Sequence, residues 1–334
     1  MATNYLDTVT MYHNCTFDIR RLFTCHWIWD DTDSDRNLHH FCTKTDRAFI
    51  RFYPDMYGAA RLYVTFSLPK LYHQNSSNTY NVTDYDNQTF MDILYSELGK
   101  AMDVSKVPTA LADWQPSRTD LFRMRAINPV DRKEYLYGYG RLAYRGAVST
   151  TYLNTNYLPS AKNCKHPNLL LRTYNKTIEQ QDKRSLLSGN LPSAAENDHE
   201  QLMHEFDIAP DQYRYEFSLR RAAIKRYCKK YNKPLNMETV MDEDFQKFVL
   251  NELVMSRRLH CTILSKKAFR NILPKIFRTQ KSIDLALKLA ESIRNKKPAP
   301  MKKHQQYRIK HELNSFYIST ATTNFVSIKG LELL

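Results

Sequence analysis

Residues Asp211-Gln-Tyr-Arg-Tyr-Glu-Phe-Ser-Leu-Arg-Arg221 alternate without a break. A strict period of two belongs to a β-strand, whose successive side chains point to opposite faces. Tyr215, Phe217 and Leu219 are therefore expected to face a core, with Arg214, Glu216, Ser218 and Arg220 opposite. Similar β-branched and aromatic content predicts strands over 48–53, 60–68, 118–124 and 168–175. Between them Phe90, Ile93, Leu94, Leu98 and Met102 recur at helical spacing, which predicts a helix over 89–104 with Thr89 as its N-cap.

After Pro234 the strand signals fade. Asp242–Leu253, Ser265–Phe277 and Thr279–Asn295 carry helical periodicity, ahead of a basic, proline-containing linker over Lys296–Lys303. The polar Ser188–Glu200 stretch reads as an exposed loop between two central strands. The fold expected is α+β: a largely antiparallel sheet with packed helices over 1–235, then a smaller helical domain over 236–334. Residues 1–53 have no assigned role within the first domain.

The chain's 334 residues are enough for a catalytic domain plus an appendage. Its 49 Lys and Arg against 35 Asp and Glu leave a formal charge of +14, which calls for a polyanionic partner, nucleic acid first. No apolar run is long enough for a membrane span, and Met1–Tyr12 lacks the basic start and apolar middle of a signal peptide, so a soluble, cytoplasmic protein is expected. Neither a P-loop nor a G-x-G-x-x-G occurs, which argues against an NTP-driven motor or a dinucleotide enzyme. The six cysteines show no C-x-x-C pairing and read as free thiols. Cys25, His26, His39, His40 and Cys42 cluster in the sequence, but at intervals that match no standard zinc-ligand spacing, and Trp27 and Trp29 among them are expected in the core.

The residues with chemical potential lie in three strands and one helix. In Leu169-Leu-Leu-Arg-Thr-Tyr-Asn-Lys-Thr-Ile-Glu-Gln180, alternation places Arg172, Tyr174 and Lys176 on one face. A tyrosine between two cations is suited to attack phosphorus, because nearby positive charge favours phenolate and offsets charge growing on the phosphoryl oxygens. The same pattern also fits a solvated strand face with a half-buried tyrosine. Glu216 either pairs with Arg214 or Arg220 or binds a hard metal ion through oxygen. Asp120 shares a strand face with Arg118, and together with Glu216 it would make a two-carboxylate site suited to Mg²⁺ or Mn²⁺. Behind Glu216 runs a basic helix with Arg220, Arg221, Lys225, Arg226, Lys229, Lys230 and Lys233, and with Tyr227 and Tyr231 interleaved; phosphate contacts are its natural use. Tyr227 is a second candidate nucleophile.

Taken in order along the chain, these elements resemble the rolling-circle replication initiators of filamentous phages, the gene II and gene X type, with their plasmid and prophage relatives. Phe66-Ser-Leu-Pro-Lys70 with the following Asn75-containing loop, Arg118-Thr-Asp120, Thr173-Tyr-Asn-Lys176 with Glu179, and Tyr213-Arg-Tyr-Glu216 ahead of Lys233-Pro-Leu235 are similar to that family's successive motifs. The resemblance spans about Ala60 to Leu235. It implies a metal-dependent endonuclease in which Tyr174, assisted by Lys176, nicks double-stranded origin DNA and becomes joined to the 5′ phosphate. The freed 3′ hydroxyl then primes synthesis, and the displaced single strand is later resealed. Asp120 and Glu216 would hold the metal. Arg118, Arg172, Arg214 and the basic helix would hold DNA, host replication proteins would act alongside, and the setting would be a bacterial cytoplasm. Related plasmid initiators often carry an acid directly after the tyrosine, where this chain has Asn175. A DNA-binding replication or regulatory protein without chemistry, and a relaxase or transposase, are the competing readings.

Overall fold

The computed structural model describes residues 2–16, 18–30, 40–54, 60–73, 82–144, 147–160, 167–181 and 211–334. His39, Asn75 and the polar segment 188–200 lie outside the described residues. The fold is α+β with antiparallel ladders, as expected. Two units are interleaved along the chain, one comprising Met1–Phe122 with Phe217–Val249 and the other Arg123–Glu216 with Leu250–Leu334. These divisions follow other lines than a cut at 235, because two long strands and one helix each contribute residues to both units.

In the first unit the principal strands are β1 (Ala2–Asn4), β2 (Leu6–Asn14), β3 (Ile28–Asp30), β4 (His40–Lys44), β5 (Ala48–Tyr53), β6 (Arg61–Ser67), β7 (Val82–Tyr85) and the first part of β8 (Gln115–Ala126). Strand β2 lies between β8 and β6, in register Leu6↔Leu121 and Met11↔Val64, and the ladder continues through β5 and β4 to β3. Alternation explains the packing: Ile50, Phe52, Leu62, Val64 and Phe66 are buried, whereas their neighbours along the strands are half-buried or exposed. Helix α1 (Leu68–His73) follows β6, and helix α2 (Asn87–Gly99) buries Phe90, Leu94 and Leu98, with the Phe90 and Phe66 rings 5.4 Å apart. The N-cap of α2 is Asp86 and not Thr89. The Asp86 carboxylate accepts the Thr89 N–H at 2.7 Å, so the helix starts at Asn87 and Thr89 lies within its first turn.

Trp29 corrects a second expectation. It is 44% exposed on the three-residue edge strand β3, with its ring set against Phe41 at 4.7 Å, while Trp27 is half-buried and stacks on Phe23 at 3.9 Å.

The second unit holds α3 (Arg132–Tyr139), β11 (Thr150–Tyr152), β12 (Thr155–Pro159), β13 (Leu169–Asn175) and most of β14 (Gln212–Arg220), after the two-residue pair β9 (Ala143–Tyr144) and β10 (Ala147–Val148). β13 lies between β12 and β14 in the ladder, with Thr155 opposite Tyr174. Strand β14 is buried on both faces. Tyr213 and Tyr215 are wholly enclosed, and Arg214 and Glu216, which alternation alone would have left on an open face, are buried as well. Residues 237–241 and 243–256 are helical, and helices over Lys266–Ile276, Gln280–Arg294 and Lys303–Ser315 enclose an apolar core of Phe269, Leu273, Leu289, Ile309 and Leu313. Ser265 and Thr279 cap the first two of these three through their side chains, at the predicted starts. Among the described residues this region is not purely helical: β15 (Thr262–Ser265) and β16 (Ile318–Thr323) pair in parallel. Each is short, and a parallel partner more than fifty residues away leaves no local pattern to read. No helix among the described residues is long and apolar enough to cross a membrane.

Tyr139, Tyr213 and Tyr215 form a ring cluster in this unit, with the Tyr215 hydroxyl donating to that of Tyr139 at 2.9 Å. Burial pushes Tyr139 up to about 12 and raises Tyr213 and Tyr215 as well. An unfolded chain ionises its tyrosines near pH ~10 while these three stay neutral in the fold, so the unfolded state binds fewer protons above that pH and stability falls as pH rises. A loss of about 1.4 kcal/mol per pH unit per tyrosine is expected above pH ~10. Urea midpoints measured at mildly and strongly alkaline pH check it; the slope should flatten in Tyr139→Phe.

Candidate active site

In the second unit, Tyr174 and Glu216 come together from neighbouring strands β13 and β14. The phenol donates to Glu216 Oε2 at 3.1 Å. Arg172 Nη2 bonds the other carboxylate oxygen, and Arg214 Nε lies 3.4 Å from Oε2. Tyr174 is 8% exposed, Arg214 fully enclosed, and the Arg172 side chain 27% exposed, so Arg172 is the member of the group that reaches toward solvent. A carboxylate removed from water needs such partners, because desolvation otherwise exceeds the attraction. The expected pairing of Glu216 with Arg214 is present. Its bond to Arg172 has no local signal in the sequence, since it joins residues 44 apart.

Lys176 does not continue the strand face of Arg172 and Tyr174. The strand stops at Asn175, whose side chain accepts the Ile178 N–H at 3.0 Å and starts the helical turn over 176–181. Asn175 is thus a helix cap. Lys176 is 2% exposed, bonds Glu179 at 2.6 Å and places its ammonium 6.0 Å from the Tyr174 ring centroid. The phenol thus bonds a carboxylate held by two guanidinium groups, and the Lys176–Glu179 pair lies beside its ring.

Asp120 belongs to the first unit. It is 1% exposed and gripped by both arms of Arg118, Nε to Oδ1 at 3.1 Å and Nη2 to Oδ2 at 2.6 Å. The two proposed metal-binding carboxylates are thus each engaged by guanidinium groups on both oxygens. A Mg²⁺ or Mn²⁺ ion would have to share those oxygens with cations, so this donor set does not fit a resident divalent metal.

The remaining cations divide by environment. Helix α4 (Arg221–Lys230) follows β14 directly and buries Ala223, Ile224, Tyr227 and Cys228, leaving Lys225, Arg226, Lys229 and Lys230 exposed with Arg220 just before them. Tyr227, the second candidate nucleophile, is buried and lines a small apolar cavity with Leu6, Leu121, Ile224 and Phe245. Arg221 is turned inward: it donates to the Pro116 carbonyl at 3.1 Å and to Gln115, and it lies over the Tyr12 ring. Arg214 likewise serves Glu216 from the interior and is not placed to meet a phosphate at the surface. Both are expected at DNA from the sequence; here Arg214 is buried beside Glu216, and Arg221 is half-buried with its guanidinium bonded to Pro116 and Gln115.

No protein-family model matches this chain, and no curated protein matches it either.

Proposed function

We propose that this protein nicks and rejoins DNA, with Tyr174 as the nucleophile, and that it acts as a rolling-circle replication initiator on double-stranded origin DNA and the displaced single strand. The observation that carries this reading is the hydrogen bond from the Tyr174 phenol to Glu216, with two guanidinium groups on the same carboxylate. Glu216 is placed to take the phenol proton as the oxygen attacks phosphorus. The P–O3′ bond breaks, the departing 3′ oxygen takes up a proton, and the 5′ phosphate stays on the tyrosine as an ester. Protonating Glu216 weakens its hold on Arg172, whose positive charge then turns toward the phosphoryl oxygens as negative charge grows there, while the enclosed Arg214 keeps the Glu216 side chain in place. The Lys176 ammonium, 6.0 Å from the ring centroid, adds positive charge beside the phenol.

A second reading, a DNA-binding replication or regulatory protein without chemistry, draws on the 8% exposure of Tyr174 and the exposed cations of α4. Incubating the protein with supercoiled plasmid bearing its parent replicon, with Mg²⁺, with Mn²⁺ and with chelator, separates the two. Nicked circles and a protein–DNA adduct on a denaturing gel support the first reading; binding without either supports the second. Rejoining and primer extension on the same replicon distinguish an initiator from a relaxase or transposase.

For the helix, neutralising Lys225, Arg226 and Lys229 to Gln is expected to weaken binding to all DNA sequences alike. The slope of log affinity against log salt should become shallower by about 0.9 for every phosphate that no longer meets a cation. Affinity measured across a salt series checks this, and an unchanged slope would move the DNA interface elsewhere.

A further inference from the structure

Strand β3 is only three residues long and lies at the end of its ladder, with Ile28 67% and Trp29 44% exposed. So short an edge strand has little burial to hold it. Its register against β4 sets Asp30 opposite His40 and Ile28 opposite Cys42. His40 and Cys42, two residues apart in one strand, point to the same face, and Asp30 joins them from directly across. One ligand atom from each of the three lies within 4.8 Å of the others.

His40 is 3% exposed, and its Nδ1 has no hydrogen-bond partner, while its Nε2 is 3.8 Å from Asp30 Oδ2, too far for a hydrogen bond. His40 Nε2 and Asp30 Oδ2, 3.8 Å apart and not hydrogen-bonded to each other, are the atoms placed to share an ion. The Tyr53 ring stacks on His40 at 4.8 Å and fixes its plane. Arg51, opposite Cys42 in β5, is the cation that would oppose a metal here, but its guanidinium is turned onto the Phe49 and Tyr63 rings at 5.5 and 5.7 Å.

We propose that Asp30, His40 and Cys42 bind a zinc ion that clips the edge strand β3 to β4. Thiolate, imidazole and carboxylate together form a borderline-soft donor set that suits Zn²⁺ and disfavours Mg²⁺ or Ca²⁺. One thiolate and one carboxylate balance the ion's two positive charges, and three protein ligands leave a fourth position for water. The linear intervals that matched no zinc motif are no obstacle, because the ligands are gathered by strand pairing and not by a loop.

Titrating the full-length, metal-stripped protein with Co²⁺ tests it. About one ion per chain is expected, with a thiolate-to-cobalt charge-transfer band and the strong d–d absorption of four-coordinate cobalt, both displaced by Zn²⁺. Cys42→Ser should abolish the charge-transfer band. Asp30→Asn and His40→Gln should weaken binding at least about tenfold. Cys25→Ser, a change at an exposed thiol nearby, should leave the spectrum as it was. Circular dichroism of each variant separates ligand loss from unfolding, and Asp30→Asn, altering a partly exposed side chain, keeps the test open should His40→Gln fail to fold. Absence of a thiolate band in the unmodified protein, its survival in Cys42→Ser, or its loss in Cys25→Ser would each overturn the proposal.

Discussion

Tyr174→Phe is expected to abolish nicking and the covalent adduct, a loss of at least about 10⁴-fold in cleavage, while affinity for origin DNA stays within experimental error. The substitution removes one oxygen from a side chain that is 8% exposed and leaves its ring packing in place. What disappears is the atom that would bond phosphorus, so an effect on chemistry alone is the signature of a nucleophile. The hydroxyl also donates to Glu216, and losing a hydrogen bond to a charged acceptor costs about 1.5–3 kcal/mol of stability. Cleavage must therefore be compared at a temperature where both proteins are folded. Glu216→Gln should fall nearly as far, since an amide keeps the shape and cannot take the phenol proton. Mass spectrometry of the trapped adduct provides the direct check: a phosphodeoxynucleotide on any tyrosine other than 174 would end this assignment, and full activity in Tyr174→Phe would end the enzymatic reading of the β13–β14 site.

Local signals were the legible ones. The start and end of β5 at Ala48 and Tyr53, and the side-chain caps at Ser265 and Thr279, depend on residues within a turn of each other, and reading them required only alternation and capping chemistry. The same logic admits Thr89 as a cap, but Asp86 three residues earlier caps the helix first and takes the Thr89 N–H, which places Thr89 inside the helix. Non-local pairing was hidden. The parallel match of β15 with β16 and the reach of Arg172 to Glu216 both join segments far apart in sequence, and no periodicity encodes which strand will lie beside which. Burial was misjudged for a related reason. Alternation assigns a face to Arg214 and Glu216 but says nothing about whether a second layer covers that face, and here both are buried. Lys176 shows a third limit, since one capping asparagine ends the strand and resets the direction of every side chain after it.

The second large effect concerns the same carboxylate as a structural group. Glu216→Leu should destabilise the fold by about 3–5 kcal/mol, because it leaves the fully buried Arg214 without the carboxylate that lies 3.4 Å from its Nε. That is a large part of the roughly 5–15 kcal/mol typical of a folded protein, so a lower urea midpoint with an unchanged slope is the expected readout. Changing Arg172, Arg214 and Glu216 together to Met, Met and Leu should recover most of the loss, since an apolar set of similar volume carries no desolvation cost. The triple variant has a further use. If it folds as well as the natural chain, the ion cluster is not required for stability, and its presence around a phenol is better accounted for by chemistry. If instead the natural chain is more stable than the triple variant by several kcal/mol, the cluster is a structural device that happens to include a tyrosine, and the proposed nucleophile loses its strongest physical argument.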